Sequence, residues 1–301
     1  MEIQDICNLA EQNGCKVSYN KMLKEYTSFK IGGECPAIIE VNSSEAFGSL
    51  IKTCVDNNIK YLVIGKGSNM LCDDKGFNGI VFHVGNDFSE IKLCDEVIEV
   101  EAGCSLIKLC RFAMDNSLSG LEFAYGIPGS VGGAIYMNAG AYGGEIKDVL
   151  QSVEFLDLNG NVGTYSMDEL DLSYRHSIFQ SNNYLILKGC FKLKKGVKSE
   201  IEAKMTDLMG RRKAKQPLDY PNAGSTFKRP EGQFAGKLIQ DCGLKGFSSG
   251  GAMVSEKHSG FVINYNNATS EDVKQVIHHV QKTVKDKTGY FLDCEVKIIP
   301  Y

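Results

Sequence analysis

The twenty residues from 125 to 144, YGIPGSVGGAIYMNAGAYGG, contain seven glycines and no charged side chain. Each glycine in a structured segment costs roughly 0.5–1 kcal/mol relative to alanine, because glycine loses the most chain entropy on folding. Seven of them cost on the order of 4–7 kcal/mol, against roughly 5–15 kcal/mol of stability for a whole domain. The stretch therefore predicts either a bound group that lies against the backbone, or glycine-rich packing between two layers of structure.

A second glycine loop, GKGSNM at residues 65–70, directly follows an apolar segment. It lacks the dinucleotide-binding pattern G-x-G-x-x-G, because Met70 stands in the third glycine position. The stretch 126–134 lacks the G-K-[ST] ending of a Walker A loop. Both loops offer successive backbone amides beside small polar side chains, and such nests hold phosphate oxygens without a lysine. Together they favour a large, partly apolar cofactor whose pyrophosphate is bound by amides, although each loop alone is compatible with a tight turn.

Length and composition limit the class of protein. A chain of 301 residues with 43% hydrophobic and 23% charged residues predicts a globular protein with two domains. The net charge of −4 argues against a nucleic-acid-binding protein. We expect no secretory signal and no membrane insertion, because no basic segment precedes an apolar block and no 18-residue apolar run occurs. Eleven scattered cysteines without a CxxC pair indicate free thiols in a reducing cytoplasm, and the five histidines show no metal-ligand spacing.

The hydrophobic periodicity predicts an α+β fold. Helices are expected at 2–13, 44–57, from Ser105 to Gly120, after a Ser199–Glu202 capping box, and from Thr269 to Gly289. Strands are expected at 37–41, 61–64, 79–84, 97–103, 184–195 and 290–299. Asn159-Gly160 predicts a type I′ hairpin within 153–166. The polar segment 194–200 predicts a domain boundary.

Three residues after position 170 point to chemistry, each with a plain alternative. Arg175 lies among apolar residues, and a half-buried guanidinium needs an anionic partner from the protein or a ligand. Ser225 follows Gly224 in a turn without a G-x-S-x-G elbow, so it either caps the backbone or serves as a polar group of a non-hydrolase site. Glu295 alternates with the apolar face of the last strand, where it faces a cleft or plain solvent. The segment 192–237 carries twelve Lys or Arg against five Asp or Glu, which indicates either a solvated face or a phosphate-bearing ligand.

Seven motifs in order resemble one enzyme family: YTSFKIGG (26–33), GKGSNM (65–70), GLEFAYGIPGSVGGAIYMNAGAYGG (120–144), SYRHSIF (173–179), NAGSTFKRP (222–230), FAGKLIQ (234–240) and DCEVKII (293–299). From residue 20 to the C-terminus the chain resembles the UDP-N-acetylenolpyruvoylglucosamine reductases, the flavoenzymes that make UDP-N-acetylmuramate for peptidoglycan. The resemblance implies a two-lobed FAD-binding domain of the vanillyl-alcohol oxidase type at 1–196, with lobes at 1–80 and 81–196. A smaller α+β substrate-binding domain is implied at 197–301.

The resemblance also implies the chemistry and its residues. FAD carries hydride from NADPH to the enolpyruvyl group of UDP-N-acetylglucosamine enolpyruvate in the cytoplasm. By position, Ser225 matches the family's proton donor, and Arg175 and Glu295 match its other two active-site residues. The implied cofactor-binding residues are Gly65, Lys66, Gly67, Ser68, Asn69, Gly126, Pro128, Gly129, Ser130, Gly132, Gly133, Ala134 and Asn138. The substrate-binding candidates are Tyr174, Arg211, Lys213, Lys228 and Gln240.

Two departures and two alternatives accompany this interpretation. Lys66 stands where many members have a glycine, and the short interval between Arg175 and Ser225 matches the form of the family that lacks a tyrosine-bearing insertion. A flavin oxidase of the same cofactor fold is one alternative, although residues 65–70 lack the histidine that often tethers FAD. A catalytically silent UDP-sugar-binding flavoprotein is the other, and the joint presence of Arg175, Ser225 and Glu295 argues against it.

Overall fold

A computed structural model describes all residues, 1–301. The helices are α1 (Ile3–Gln12), α2 (Ser44–Asp56), α3 (Leu106–Asp115), α4 (Val131–Tyr136), α5 (Phe179–Asn182), α6 (Lys198–Lys215), α7 (Ala235–Asp241) and α8 (Ser270–Thr288). The strands of the first half are β1 (Lys16–Met22), β2 (Glu34–Glu40), β3 (Tyr61–Ile64), β4 (Met70–Cys72), β5 (Ile80–His83), β6 (Ile91–Cys94), β7 (Val97–Glu101), β8 (Leu118–Ser119), β9 (Gly140–Ala141) and β10 (Gly144–Glu145). Those of the second half are β11 (Leu150–Leu156), β12 (Val162–Ser166), β13 (Leu185–Lys192), β14 (Lys194–Lys195), β15 (Ser248–Ser249), β16 (Ala252–Val254), β17 (Val262–Asn264) and β18 (Lys297–Ile299).

The chain forms two compact units, and each draws on separate parts of the sequence. Unit 1 comprises 1–19, 37–66 and 79–211, and unit 2 comprises 20–36, 67–78 and 212–301. Unit 2 thus includes two early segments in addition to most of the C-terminal region. The functional boundary at 196/197 stays a prediction, because contact density alone does not say which residues bind which ligand.

Unit 1 contains two hydrophobic cores. One lies between the antiparallel sheet β12-β11-β13-β7-β6 and helices α3 and α4, with Phe191, Val153 and Ile135 at its centre. The other packs α1 and α2 onto the parallel strands β2, β5 and β3, with Phe47 and Phe82 buried between them. The first glycine loop starts at the carboxyl end of β3, and the second leads into α4, whose buried residues belong to the first of these cores.

Unit 2 has a single core. Helices α7 and α8 pack on the small antiparallel sheet β15-β16-β17, and the buried valines of α8 fill the interior. Strand β18 pairs in parallel with β4, so that Lys297 lies opposite Met70. The first glycine loop therefore runs directly into the strand that pairs with the C-terminal segment.

Several sequence predictions are confirmed at the level of single caps. The Ser105 hydroxyl accepts the Lys108 amide at the start of α3. Thr269 and Asp272 form the predicted capping box of α8, which ends at Gly289 with φ +79°. These positions follow from local hydrogen bonding alone, so the sequence could specify them. The class α+β is confirmed as well.

Other predictions are wrong. Helix α3 ends at Asp115 rather than at Gly120, and α6 begins at Lys198, so Ser199 is not its N-cap. The hairpin between β11 and β12 is closed by a longer loop in which the Asp157 amide donates to the Asn161 carbonyl. Gly160 has φ +83° while Asn159 does not adopt a positive φ, which excludes the type I′ turn. The C-terminal segment forms a strand only over β18, preceded by an isolated bridge at Cys294.

All eleven cysteines are free thiols, and most are buried, as predicted. Burial raises the pKa of Cys35 to about 11 and that of Cys54 to about 12. A thiol reacts as its thiolate, so these side chains are inert core residues at neutral pH. The molecule contains no helix with the length and apolar character that a membrane crossing requires.

Candidate active site

The second glycine loop leads into α4 through Ser130, which is only 4% exposed. The amides that follow are used within the chain. The Val131 amide donates to the Cys104 carbonyl at 2.8 Å, the Gly132 amide to the Ala102 carbonyl at 2.9 Å and the Gly133 amide to the Ser130 hydroxyl at 3.3 Å. The amides of Gly129 and Ser130 have no acceptor within the chain. A buried, unpaired N–H is costly, so these two amides are the part of the loop that is ready for an anionic ligand.

The glycines of this stretch divide into two kinds. A Cβ on Gly132 would lie 2.9 Å from the Ala102 Cβ, one on Gly140 would lie 2.8 Å from the Gly144 carbonyl oxygen, and one on Gly144 would lie 2.6 Å from the Phe123 ring. At Gly133 the nearest atom is the Ser130 hydroxyl at 3.4 Å, an ordinary contact. For Gly132, Gly140 and Gly144 the alternative of close packing within the chain therefore accounts for the glycine, whereas at Gly133 it does not.

The first glycine loop meets the second at Gly65. A Cβ at Gly65 would overlap the Ser130 hydroxyl. Within unit 2, Gly67 has φ +57°, and a Cβ there would lie 2.9 Å from the Thr27 Cα and overlap the Tyr26 carbonyl. The Gly67 carbonyl in turn accepts the Ser28 amide at 3.1 Å. Gly65 and Ser130 thus bring the two loops together, as a shared cradle requires.

Asn138 stays a predicted cofactor-binding residue, and its side chain bonds to three groups of unit 1. Asn138 is fully buried, and its amide group donates to the Ser173 carbonyl at 2.9 Å and to Glu145 Oε2 at 3.2 Å. Its side-chain oxygen accepts the Lys147 amide at 3.0 Å. All the hydrogen-bonding groups of this side chain are therefore used within unit 1, and Asn138 holds the end of the glycine-rich stretch to the segment that carries Arg175.

Arg175 occupies a tight turn closed by reciprocal main-chain hydrogen bonds between Ser173 and His176, at 3.3 and 3.1 Å. Its φ of +56° is a conformation that favours glycine, and an L-residue there costs about 1–2 kcal/mol. The guanidinium donates to the Gly140 carbonyl at 3.3 Å and lies 5.0 Å from the centre of the Tyr174 ring. The guanidinium thus reaches the Gly140 carbonyl from a backbone conformation that is unusual for an L-residue.

Ser225 and Glu295 lie on neighbouring segments of unit 2. The segment around Phe227 pairs antiparallel with that around Cys294, and the Glu295 amide donates to the Thr226 carbonyl at 2.8 Å. The turn before Ser225 is capped by Asn222, whose Oδ1 accepts the Gly224 amide at 2.9 Å. The Ser225 hydroxyl has no partner within the chain, which argues against the alternative that it caps the backbone.

The half-buried residue His258 is linked to the Ser225 turn through the main chain of Gly260. The Thr226 amide donates to the Gly260 carbonyl at 2.8 Å, and the Gly260 amide donates to His258 Nδ1 at 3.1 Å. Burial lowers the pKa of His258 below its usual value, and the charges of Lys215 and Lys245 lower it further. A neutral imidazole is the form that accepts a hydrogen bond, so His258 serves as a fixed acceptor here.

The substrate-binding candidates separate into those near these residues and those away from them. Lys228 is half-buried and donates its amide to the Asp293 carbonyl at 2.8 Å, two residues before Glu295. Tyr174 is 41% exposed beside Arg175. By contrast, Arg211 is 60% exposed and paired with Asp207, and Lys213 and Gln240 are exposed on helices. Lys228 thus lies beside the Glu295 segment within unit 2 and Tyr174 beside Arg175 within unit 1, whereas the other three candidates have no such neighbour.

The sequence analysis named Arg211 and Lys213 as candidates but left out Arg212, the buried arginine between them, which is only 7% exposed. It follows Leu208 by four residues and Met205 by seven on α6, so it shares the buried face of that helix. This helical spacing, which can be read from the sequence, places Arg212 on the buried face of α6 and Arg211 and Lys213 on the exposed face. Its Nη1 donates to Gln216 Oε1 at 3.3 Å.

Comparison with known proteins decides the family. The profile of an FAD binding domain matches residues 35–166, and that of the UDP-N-acetylenolpyruvoylglucosamine reductase C-terminal domain matches residues 216–299. The UDP-N-acetylenolpyruvoylglucosamine reductase of Clostridium novyi (strain NT) is 48% identical over 94% of this chain and 92% of its own length. That of Lachnoclostridium phytofermentans is 46% identical over 99% of this chain and 96% of its own length. The chain belongs to the UDP-N-acetylenolpyruvoylglucosamine reductase family.

A solved structure agrees with this assignment. The crystal structure of UDP-N-acetylenolpyruvylglucosamine reductase from Thermus caldophilus superposes with a TM-score of 0.83 at 34% identity, and the match covers 95% of this chain and 100% of that one. The resemblance inferred from the motifs is therefore confirmed over the whole fold. An FAD-binding domain is confirmed over residues 35–166, and its predicted bounds at 1–196 stay a prediction.

The residues of the cradle fit the cofactor of this reductase family. The free amides belong to the half-buried Gly129 and the buried Ser130, and the face of α4 at Gly133 is open to a ligand. Phosphate oxygens are acceptors, so a pyrophosphate satisfies the two amides that the chain leaves unpaired.

Proposed function

We propose that this chain reduces UDP-N-acetylglucosamine enolpyruvate to UDP-N-acetylmuramate, with FAD as hydride carrier and NADPH as reductant, in the cytoplasm. The product serves peptidoglycan synthesis, and hence cell-wall biogenesis, cell shape and division. The observation that carries the proposal is the free hydroxyl of Ser225 on the segment that pairs with Glu295, in a chain of this family. The N-terminal part, 1–196, binds the cofactor, and 197–301 binds the nucleotide sugar.

The two glycine loops hold the cofactor in this proposal. The amides of Gly129 and Ser130 bind its pyrophosphate, and Gly65, Lys66, Gly67 and Ser68 line the cradle from the first loop. Gly126, Pro128, Gly132, Gly133 and Ala134 line it from the second. Because the amides are fixed by the turn into α4, they need no rearrangement when the phosphates arrive.

FAD, when bound, supplies hydride carriage from NADPH to the methylene carbon of the enolpyruvyl group. The two electrons of the carbon–carbon double bond then move to the adjacent carbon, beside the substrate carboxylate. Arg175 places a permanent positive charge at this carboxylate, because a guanidinium stays protonated at any physiological pH. Its strained turn and its bond to the Gly140 carbonyl fix that charge before the substrate binds.

Ser225 donates its hydroxyl proton to the carbon that has gained the electron pair, and it recovers a proton from solvent. A serine hydroxyl is a weak acid, but an enolate-like carbon is a strong base, so a positioned transfer is favourable. Glu295, whose main-chain amide donates to the Thr226 carbonyl on the paired segment, donates a hydrogen bond from its protonated carboxyl to the developing charge. Lys228 and Tyr174 contact the phosphates and sugar of the nucleotide; Arg211, Lys213 and Gln240 are weaker candidates because their side chains lie at exposed positions.

An anaerobic two-step titration tests this function. NADPH is added to the purified flavoprotein until the flavin absorbance near the visible maximum bleaches, and UDP-N-acetylglucosamine enolpyruvate is then added. The proposal expects stoichiometric return of the oxidised flavin spectrum. A flavin that stays reduced with the sugar nucleotide but reoxidises when oxygen is admitted contradicts the proposal and favours an oxidase. A flavin that NADPH never bleaches favours the catalytically silent flavoprotein.

A further inference from the structure

Each glycine loop ends on an asparagine whose side chain reaches the segment of a catalytic candidate. In unit 2, Asn69 Nδ2 donates to the Glu295 carbonyl at 3.1 Å. In unit 1, Asn138 Nδ2 donates to the Ser173 carbonyl at 2.9 Å, two residues before Arg175. In each unit, therefore, an asparagine side-chain amide joins the end of a glycine loop to a main-chain carbonyl in the segment of a catalytic candidate.

Asn69 bonds to the C-terminal segment through both its side chain and its main chain. Its own carbonyl accepts the Lys297 amide at 3.0 Å, while its side chain binds the Glu295 carbonyl. From the next residue on, the chain continues as β4, with Met70 opposite Lys297. A shift of the first glycine loop therefore moves the main chain that follows the Glu295 Cα, because Asn69 bonds to the Glu295 carbonyl and to the Lys297 amide, on either side of Val296.

The link through Asn138 restrains a strained element. Arg175 needs external support to keep φ at +56°, and the Ser173 carbonyl belongs to the turn that imposes it. Asn138 itself has φ +40° and is fully buried. Its remaining bonds go to Glu145 and to the Lys147 amide. The turn of Arg175 is thus attached to the end of the second glycine loop by a side chain that has no freedom to move.

We propose that Asn69 and Asn138 are positioning residues that transmit the ordering of the two glycine loops by FAD to Glu295 and Arg175. Cofactor binding immobilises a loop, and the asparagine at its end then immobilises the main chain of the catalytic residue. Small displacements of a reacting group cost large factors in rate. Glu295 and Arg175 act on the enolpyruvyl substrate, so replacing either asparagine should slow flavin reoxidation by that substrate and leave flavin reduction by NADPH nearly unchanged. The inference rests on the proposed function.

The test for the first link is Asn69→Ala, compared with Asn57→Ala. Asn57 also donates its side-chain amide to a main-chain carbonyl, that of Thr53 at 2.9 Å, but at the exposed end of α2. For Asn69→Ala we expect flavin bleaching by NADPH within about 3-fold of the wild-type rate. Flavin reoxidation by UDP-N-acetylglucosamine enolpyruvate is expected to slow by about 100-fold, a typical loss for a misplaced catalytic group. Asn57→Ala should match the wild type in both steps.

Hydrogen–deuterium exchange gives a readout that does not depend on turnover. In the wild type, FAD should slow exchange both in the loop 65–70 and in the segment 294–298, where the Lys297 amide donates to Asn69. In Asn69→Ala, FAD should still protect the loop but should no longer protect the C-terminal segment. Loss of FAD binding with unchanged reoxidation of the loaded enzyme would instead make Asn69 a cofactor contact and overturn the inference.

The second link is tested with Asn138→Gly, since glycine accepts the positive φ that alanine would not. FAD protection of the segment 173–176 should disappear while protection of 129–134 persists, and reoxidation should slow by about 10-fold or more. If this variant does not fold, Asn69→Ala alone decides. If FAD protects the linked segment from exchange, and the substrate reoxidises the flavin, as in the wild type, the link through the substituted asparagine is overturned. A wild-type enzyme whose reduced flavin ignores the enolpyruvyl substrate would instead refute the proposed function, so the two failures are distinguishable.

Discussion

The two glycine loops look alike in the sequence but use their glycines differently. In the first loop, a Cβ on Gly65 or Gly67 would overlap other atoms of the chain, and Gly67 also has a positive φ. In the second, Gly132 presses on Ala102, whereas its neighbour Gly133 faces open space beside the Ser130 hydroxyl. Glycine content alone therefore does not locate a ligand. The informative features are an open glycine face and amides without an acceptor, and in the second loop these occur at Gly133, Gly129 and Ser130.

This comparison predicts its largest effect at Gly67. In Gly67→Ala the new Cβ meets the Tyr26 carbonyl and the Thr27 Cα, both rigid backbone, in a conformation that alanine avoids. We expect the apo-protein to lose about 3 kcal/mol or more of its free energy of unfolding. Urea denaturation followed by circular dichroism measures this. A loss below about 1 kcal/mol would show that the loop relaxes freely and that its glycines are not required by packing.

The neighbouring glycines 132 and 133 separate packing from ligand binding. Gly132→Ala should destabilise the apo-protein by about 1–3 kcal/mol, because the Ala102 side chain has no room to yield. Gly133→Ala should stabilise it by about 0.5–1 kcal/mol through helix propensity. The same variant should weaken FAD binding by about 10-fold or more, equivalent to about 1.4 kcal/mol. Thermal denaturation of the apo-proteins measures stability, and flavin fluorescence titration measures the affinity for FAD. Wild-type affinity for FAD in Gly133→Ala would show that the cofactor does not lie against this face of α4.

The smallest effect concerns the thiol that follows the first loop. Burial, assisted by Cys35, raises the pKa of Cys72 from 9.0 to about 12. In the unfolded chain this thiol ionises first, so its contribution to stability is complete below pH 9 and is lost as the pH rises towards 12. Each pH unit in that window removes about 1.4 kcal/mol. The unfolding free energy should thus fall more steeply between pH 9 and 10 in the wild type than in Cys72→Ala, and equal slopes would contradict the assignment.

The sequence predicted what local rules and long motifs determine. Ser105, Thr269 and Gly289 cap their helices as expected because capping depends on a few neighbouring residues. The family followed from the combination of motifs, and its fold class with it. By contrast, the ends of α3 and α6 and the hairpin turn were set by packing and by Asp157, none of which the local pattern specifies.

The roles of single side chains were harder to predict than the location of the site. Asn138 lies in the most specific motif, but its partners Ser173 and Lys147 are distant in sequence or bonded through the main chain. Arg211 and Lys213 were favoured over Arg212 because charge was counted without the helical period that buries Arg212. A pattern shows which segments matter, whereas the direction of each side chain depends on tertiary contacts.

The most direct test of the account is the oxidative half-reaction of Ser225→Ala, with Ser249→Ala as the matched loss of a hydroxyl from a half-buried serine that donates to Gln275. Both variants are reduced anaerobically with NADPH and mixed rapidly with UDP-N-acetylglucosamine enolpyruvate. We predict that NADPH bleaches both flavins at the wild-type rate and that reoxidation slows by about 100-fold or more in Ser225→Ala alone, as the loss of a general acid requires. Reoxidation of Ser225→Ala at the wild-type rate would contradict the assignment of the proton donor.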